Sequence, residues 1–260
     1  MNTCPIFVSS SDAYADLWPL FFDLFKKYWP EYEGVIYLNT ETKEFKYEGL
    51  NIICTQVGKN TFGNTFRSGL AKVDAPYLML IMIDYIFMGK INHELLNNYF
   101  EYFTQQKFDS LCLVPSQFFN IEKLQYKDLY QVIPPSKDMF SFQIAFWKKS
   151  ILFEMALPHE TPWLSEWYGT ARANQIKLKL AFAATERPIP YLMEGALHKG
   201  KWVSPMITFL NEIEYKIDFS KRGFFVEKPM ATKERISGRL DTFWPRCLSN
   251  FDLLKRRFAK

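Results

Sequence analysis

The residues that hold metals by their own spacing are scarce in this sequence. It has three histidines and four cysteines in 260 residues; Cys4, Cys54, Cys112 and Cys247 form no Cys-x-x-Cys pair, and the histidines show neither His-x-x-His nor His-Glu-x-x-His. Structural zinc and a disulfide scaffold are disfavoured on that pattern. Blocks of like charge are also missing: a net charge of +4 arises from 32 basic and 28 acidic residues interspersed along the chain, which disfavours a dedicated nucleic-acid partner. The longest apolar run, residues 77–88, is too short to cross a bilayer and contains Asp84. The first residues reach Pro5 without a basic residue and lack a signal-type apolar stretch, so a cytoplasmic protein is the expectation. One basic concentration stands out, Lys255, Arg256, Arg257 and Lys260 among Leu253, Leu254 and Phe258. It offers peripheral contact with an anionic membrane surface, with a solvated, fraying terminus as the alternative.

What is plentiful is apolar and aromatic material. Hydrophobic residues make up 48% of the chain and aromatics 18%, with 25 phenylalanines. That is enough for one full core, and the length fits a single large α/β domain over residues 1–205 with an extension over 206–260 packing on it. The aromatics serve equally as a Phe-rich core or as flat faces for gripping sugar rings.

Along the chain, residues 5–9 read as a buried strand followed by Ser9, Ser10, Ser11 and Asp12, which are helix-capping side chains. Leu17, Trp18, Phe21, Leu24, Phe25 and Tyr28 recur on one helical face, with Pro19 tolerated in a first turn. Strands are expected at 34–38, 51–55, 77–83, 110–114 and 142–147, and helices at 64–73, 93–105 and 148–157. The run 77–83 has the continuous apolar character of a central strand covered on both faces. Strand–helix alternation predicts a mostly parallel sheet flanked by helices, which binds ligands beyond the carboxyl ends of its strands, where Ser10 to Asp12 and Asp84 fall. Beyond residue 205 the pattern loosens, with Gly223, Pro229, Gly238 and Pro245 as punctuation. There are no internal repeats.

Asp84 closes the most apolar strand, where an unpaired carboxylate is costly to bury but useful facing a metal ion; capping the next turn is the plain alternative. Residues 61–87, with Asn64, Arg67 and the run Tyr77-Leu-Met-Leu-Ile-Met-Ile-Asp-Tyr85, resemble a group of GT-A fold glycosyltransferases from lipopolysaccharide and capsule (surface glycan) biosynthesis. Three further stretches agree with that family in order: Ile6-Phe-Val-Ser-Ser-Ser-Asp12, Lys27-Tyr-Trp-Pro30 with Val35-Ile-Tyr-Leu-Asn39, and Glu160-Thr-Pro-Trp-Leu-Ser-Glu166 followed by Gly169-Thr-Ala-Arg172. The resemblance ends at Gly200-Lys-Trp202 and covers roughly the first 205 residues.

The resemblance implies a GT-A-like domain that moves a sugar from a nucleotide-sugar donor, UDP-linked in the first instance, to a hydroxyl of a glycan or lipid-linked acceptor, with inversion. Ser10, Ser11 and Asp12 would lie near the nucleobase and ribose. Asp84, with Tyr85, would meet the diphosphate and Mn²⁺ or Mg²⁺. Glu166 would be the general base, its pKa raised by apolar surroundings beside Trp163 and Trp167; a helix-surface acid is the alternative. Trp163 would stack on a sugar, or sit in the core. His198 would join the metal and Lys201 the diphosphate, or both are surface residues. Two positions depart from the family pattern: Ile83 replaces the first Asp of its Asp-Asp pair, which weakens metal dependence, and Thr65 replaces an Arg, leaving Arg67 as a phosphate contact or a solvated arginine. Ile83 keeps open a catalytically idle binding module. A Rossmann-type oxidoreductase stands further off, because no Gly-x-Gly-x-x-Gly follows the first strand.

Overall fold

The computed structural model describes residues 4–227 and 241–258. Pro229, Gly238 and Lys260, noted above, lie outside the described residues.

Nine strands form one sheet: β1 (Ile6–Ser9), β2 (Val35–Leu38), β3 (Asn51–Cys54), β4 (Tyr77–Met82), β5 (Ser110–Cys112), β6 (Ile121–Lys123), β7 (Leu129–Val132), β8 (Ala145–Lys148) and β9 (Leu180–Ala183). Their order is β3-β2-β1-β4-β8-β5-β9-β7-β6. The β3-β2-β1-β4 half is wholly parallel. On the other side β8 runs against both β4 and β5, β9 is parallel to β5, and β7 is antiparallel to both β9 and β6. Only β8 and β7 therefore oppose the common direction, and the mostly parallel, helix-flanked α/β sheet expected from strand–helix alternation is what the chain forms.

The apolar run predicted as a central strand becomes β4, paired on both sides, with Leu78, Met79, Leu80 and Ile81 fully buried. Ahead of it, α1 (Trp18–Tyr28) accepts Pro19 in its first turn and buries Trp18, Leu20, Phe21, Phe22, Leu24 and Phe25. Much of the aromatic content goes into this region: Phe25 lies within ring-stacking distance of Trp29, Tyr32 and Phe87, with centroids 5.4, 5.6 and 5.4 Å away. Such contacts add to the burial of large apolar faces.

Several boundaries differ from expectation for identifiable reasons. The strand expected at 142–147 begins only at Ala145, because the Phe142 amide donates to the Glu166 carboxylate instead of a neighbouring strand. Helix α2 (Phe62–Ala71) starts earlier than residue 64, whereas α3 (His93–Gln105) keeps the expected bounds, its start fixed by Asn92, whose side chain accepts from the Leu95 amide. The hairpin β6–β7 was not foreseen: β6 is exposed throughout and carries no apolar pattern. Helix α4 (Lys149–Met155) leads to α5 (Pro162–Gln175), and β10 (Leu197–His198) with β11 (Lys201–Trp202) makes a separate hairpin. Beyond residue 205 the chain is more regular than its pattern implies, with α6 (Ser204–Glu212) and α7 (Phe243–Phe258). Pro245 lies in the first turn of α7, where its missing amide costs nothing, so it starts a helix instead of breaking one. No helix among the described residues is long and apolar enough to cross a membrane.

Candidate functional site

The carboxyl ends of β1 and β4 lie side by side, with Ser9 opposite Met82. The two loops that leave these strands therefore begin next to each other. Ser10 Oγ accepts from Trp18 Nε1 at 2.8 Å, which ties the loop after β1 to α1. The Ser11 carbonyl accepts from the Tyr14 amide and opens a single 3₁₀ turn at Asp12–Tyr14. Asp12 turns to the loop after β2: its carboxylate accepts from the amides of Glu41, Thr42 and Lys43 and from the Thr42 hydroxyl, at 2.6–3.1 Å. Burial opposes its charge, but the hydrogen bonds from Thr42 and the three amides outweigh it and hold the carboxyl below the usual aspartate value. Ser10 and Asp12 thus fasten the loop after β1 to α1 and to the loop after β2.

At the end of β4, Ile83 is buried in the core while Asp84 is half-buried. Desolvation pushes the Asp84 carboxyl up to about 6. Across from it the chain returns at Gly195, whose φ of +83° suits glycine and where an added Cβ would stand 2.6 Å from Asp84 Oδ2. The Ala196 amide donates to the Asp84 carbonyl at 2.8 Å, fastening the two segments together. Tyr85 follows, its ring 4.9 Å from that of Tyr191. Gln143 joins them: its amide donates to the Tyr85 hydroxyl (3.1 Å) and the Met193 carbonyl (2.9 Å), and its oxygen accepts from the Tyr191 hydroxyl (2.8 Å). Burial, then the Tyr191, Asp84 and Glu166 charges, push the Tyr85 hydroxyl well above its ordinary value. Burial and the Asp84 charge likewise raise the Tyr14 hydroxyl. Asp84 and Glu166, more than eighty residues apart in sequence, act on the same phenol.

Glu166 rides on α5, whose start is fixed by the Thr161 hydroxyl accepting from the Leu164 amide and by Pro162 in the first turn. Its Oε1 accepts from the Phe142 amide at 2.9 Å. Burial raises its carboxyl, with that hydrogen bond pulling the other way. The flanking indoles of Trp163 and Trp167 are 71% and 75% exposed. Trp163 is consequently not a core tryptophan.

The hairpin β10–β11 follows Gly195 directly and turns at Lys199 and Gly200, both with positive φ. His198 and Lys201 are exposed cross-strand partners on it, and the His198 ring lies 4.2 Å from Phe225. Arg67 is placed differently from a phosphate contact: its guanidinium donates to the carbonyls of Phe153 and Ala156 and covers the Phe153 ring at 3.7 Å, clamping α2 to the end of α4. Arg222, which no sequence pattern marked, reaches back from beyond α6. It pairs with the Asp16 carboxylate, donates to the Ala13 carbonyl at 2.8 Å and lies over the Tyr14 ring at 5.0 Å. Its signal, the short Lys221-Arg222-Gly223 stretch, gains meaning only through the fold.

Among the described residues, no three His, Cys, Asp or Glu side chains gather. A divalent cation here would take one protein carboxylate, Asp84, and fill its other positions with phosphate oxygens and water, a mode common for Mg²⁺ beside nucleotides. Asp84, raised by burial and bonded to no other side chain among the described residues, fits that mode.

No protein-family model matches the chain, and no curated protein sequence does. Solved structures are similar to it at low identity. Staphylococcus aureus TarS, residues 1–349, is 13% identical over 71% of this chain and 58% of its own, with a TM-score of 0.47. The same TarS segment in complex with UDP-GlcNAc is 12% identical over 85% of this chain and 69% of its own, with a TM-score of 0.42. A UDP-glucose pyrophosphorylase complexed with UDP-glucose is 11% identical over 71% of this chain and 90% of its own, with a TM-score of 0.44. The chain thus spans less than two thirds of the first TarS 1–349 structure, and 51% of the bifunctional IspDF from Campylobacter jejuni. At these identities and TM-scores the likeness identifies neither a family nor an activity for this chain.

Proposed function

We propose that this chain is a nucleotide-sugar-dependent glycosyltransferase that carries a sugar from a UDP-linked donor to a hydroxyl of a glycan or lipid-linked acceptor, with inversion, in surface glycan synthesis. One observation carries the reading: Asp84, where the chain leaves the carboxyl end of β4 with Gly195 folded against it, and Glu166, held by the Phe142 amide, both have carboxyls raised by burial, and both raise the Tyr85 hydroxyl. Pairs of carboxylates in desolvated clefts are the groups that acid–base chemistry on sugars requires.

In the transfer, the acceptor oxygen bonds to the anomeric carbon as the bond from that carbon to the diphosphate breaks. The acceptor proton passes to Glu166, whose Oε1 is held by the Phe142 amide and whose raised pKa makes it a better base than a solvated glutamate. Bound Mn²⁺ or Mg²⁺ would neutralise charge on the leaving diphosphate. Asp84 would hold that cation, and Gly195 keeps the opposite wall close to its carboxylate. The exposed His198 and Lys201, on the hairpin that follows Gly195, are proposed to close over the cation and the diphosphate, and Trp163 to meet the acceptor. Ser10, Ser11 and Asp12 form the rim proposed for the nucleoside.

A second reading is favoured by Ile83, which is buried where the resembling family has a second carboxylate: a binding module that holds a nucleotide sugar without transferring it. Thermal unfolding against UDP, GDP, dTDP, CDP and CMP sugars, with and without Mn²⁺, tests both. A ligand at a hundred times its Kd stabilises by about 2.7 kcal/mol. A shift with one nucleotide class, enlarged by Mn²⁺ and accompanied by transfer that Glu166→Gln abolishes, supports the transferase. A shift without donor turnover favours the binding module, and stabilisation by NAD alone refutes both.

A further inference from the structure

Helix α7 is oriented against the usual rule that an amphipathic helix turns its apolar side inward. Its polar side meets the protein. Ser249 is fully buried, donating to Glu160 Oε1 at 2.7 Å and sharing a hydrogen bond with His159 Nε2 at 2.9 Å. Asp252, its only acid, lies between Arg172 at 3.8 Å and Arg256 at 2.9 Å. The apolar side faces out: Phe243, Trp244, Leu248, Phe251, Leu254 and Phe258 are between 36% and 86% exposed. The Tyr168 hydroxyl bonds the Arg246 carbonyl, so the first turns of α7 lie beside the turn of α5 that carries exposed Trp167.

Charge decides what covers this face. Arg246, Lys255 and Arg257 are exposed on the same helix, and the Lys255 ammonium sits 4.6 Å over the Phe251 ring. With Asp252 turned inward, α7 offers three exposed cations, several aromatic rings and no acid to a partner. A second copy of the chain would set this surface against its own likeness, cation facing cation. An anionic bilayer satisfies both components at once: aromatic and leucine side chains enter the acyl boundary while Lys and Arg meet lipid phosphates.

We propose that α7, flanked by Trp163 and Trp167 of α5, docks this protein on the surface of an anionic lipid bilayer. The inference stands on the surface alone. Joined to the transferase reading, on which this last step rests, it makes the acceptor a lipid-linked one: Glu166 sits between Trp163 and Trp167 in sequence, and a glycan carried on a docked membrane would arrive beside the proposed base.

The test is sedimentation of the full chain with phosphatidylcholine vesicles, with and without phosphatidylglycerol, across a salt series. Binding to the anionic vesicles that weakens with salt is expected. The variant Trp244→Ser/Phe251→Ser, altered only at exposed rings, should keep its Tm and lose roughly tenfold or more in partitioning. No binding to anionic vesicles, or binding undiminished in the double variant, would overturn the proposal. A concentration-dependent dimer abolished by the same variant would overturn it in favour of self-association. Nucleotide-induced stabilisation is measured without lipid, so failure of docking and failure of the transferase reading are told apart.

Discussion

Replacing Arg172 by methionine should be among the most damaging single substitutions in the chain. The guanidinium is fully buried and forms a two-pronged bond with Glu160, Nη1 to Oε1 at 2.9 Å and Nη2 to Oε2 at 2.6 Å, while Nη2 also donates to the Met155 carbonyl. Glu160 is equally buried and accepts besides from the Leu157 amide and the Ser249 hydroxyl. Arg172→Met leaves that carboxylate in the interior with neutral donors only, and stranding one partner of a buried ion pair costs about 3–5 kcal/mol. For a protein of this size each kcal/mol moves Tm by about 2–4 °C, so a fall of roughly 10 °C is expected, read by calorimetry or urea unfolding. Glu160→Leu/Arg172→Met removes the charge as well. It leaves the Leu157 amide unpaired and the Ser249 hydroxyl with His159 alone, a loss of about 1–3 kcal/mol. The double variant should therefore be more stable than the single one. A single variant within about 1 kcal/mol of the parent, or a double variant less stable than the single, would refute the reasoning.

Gly195→Ala should cost about 1–3 kcal/mol for the positive φ and abolish nucleotide-induced stabilisation, since the added methyl would stand 2.6 Å from Asp84 Oδ2; an undiminished nucleotide shift would separate Asp84 from the donor site. Tyr191→Phe leaves Gln143 Oε1 without the hydroxyl that donates to it at 2.8 Å, with an expected loss of about 1–3 kcal/mol in urea unfolding. The pH profile of kcat/KM follows from Glu166. Burial raises its folded-state pKa, and a base acts only when ionised, so activity should fall as pH drops through a value above the ordinary glutamate pKa of about 4.3. The same shift means that the folded state binds the proton more tightly than the unfolded one, so ionising Glu166 lowers stability as pH rises through that window. An acid limb at the ordinary glutamate value would remove Glu166 from the role.

What could be read in the sequence was whatever burial writes as an apolar pattern. The strands β1, β2 and β4 are runs of buried apolar residues, and α1 shows its inward stripe in Trp18, Phe21, Leu24 and Phe25. Helix α5 shows no such stripe because its buried face includes Ser165, Gly169 and Arg172, residues a periodicity count scores as polar or neutral. Gly169 is there for space: an added Cβ would lie 2.4 Å from Phe140 Cδ1. Helix α7 misleads in the opposite sense, since its apolar residues face outward. The site divides along the same line. Asp84 was visible because a carboxylate ending an apolar strand needs a reason, whereas Gln143, Tyr191 and Arg222 acquire theirs only from partners about 50 to 200 residues away. The motif running from Glu160 to Arg172 shows how a pattern can be correctly noticed for chemistry and yet be held together by stability. Its two ends are a buried ion pair that fixes the start of α5, and Glu166, which rides on that helix between them, depends on the pair for its position. Loss of Arg172 should accordingly lower kcat through misplacement of Glu166 even at temperatures where the protein remains folded, while leaving the nucleotide-induced shift at Asp84 intact.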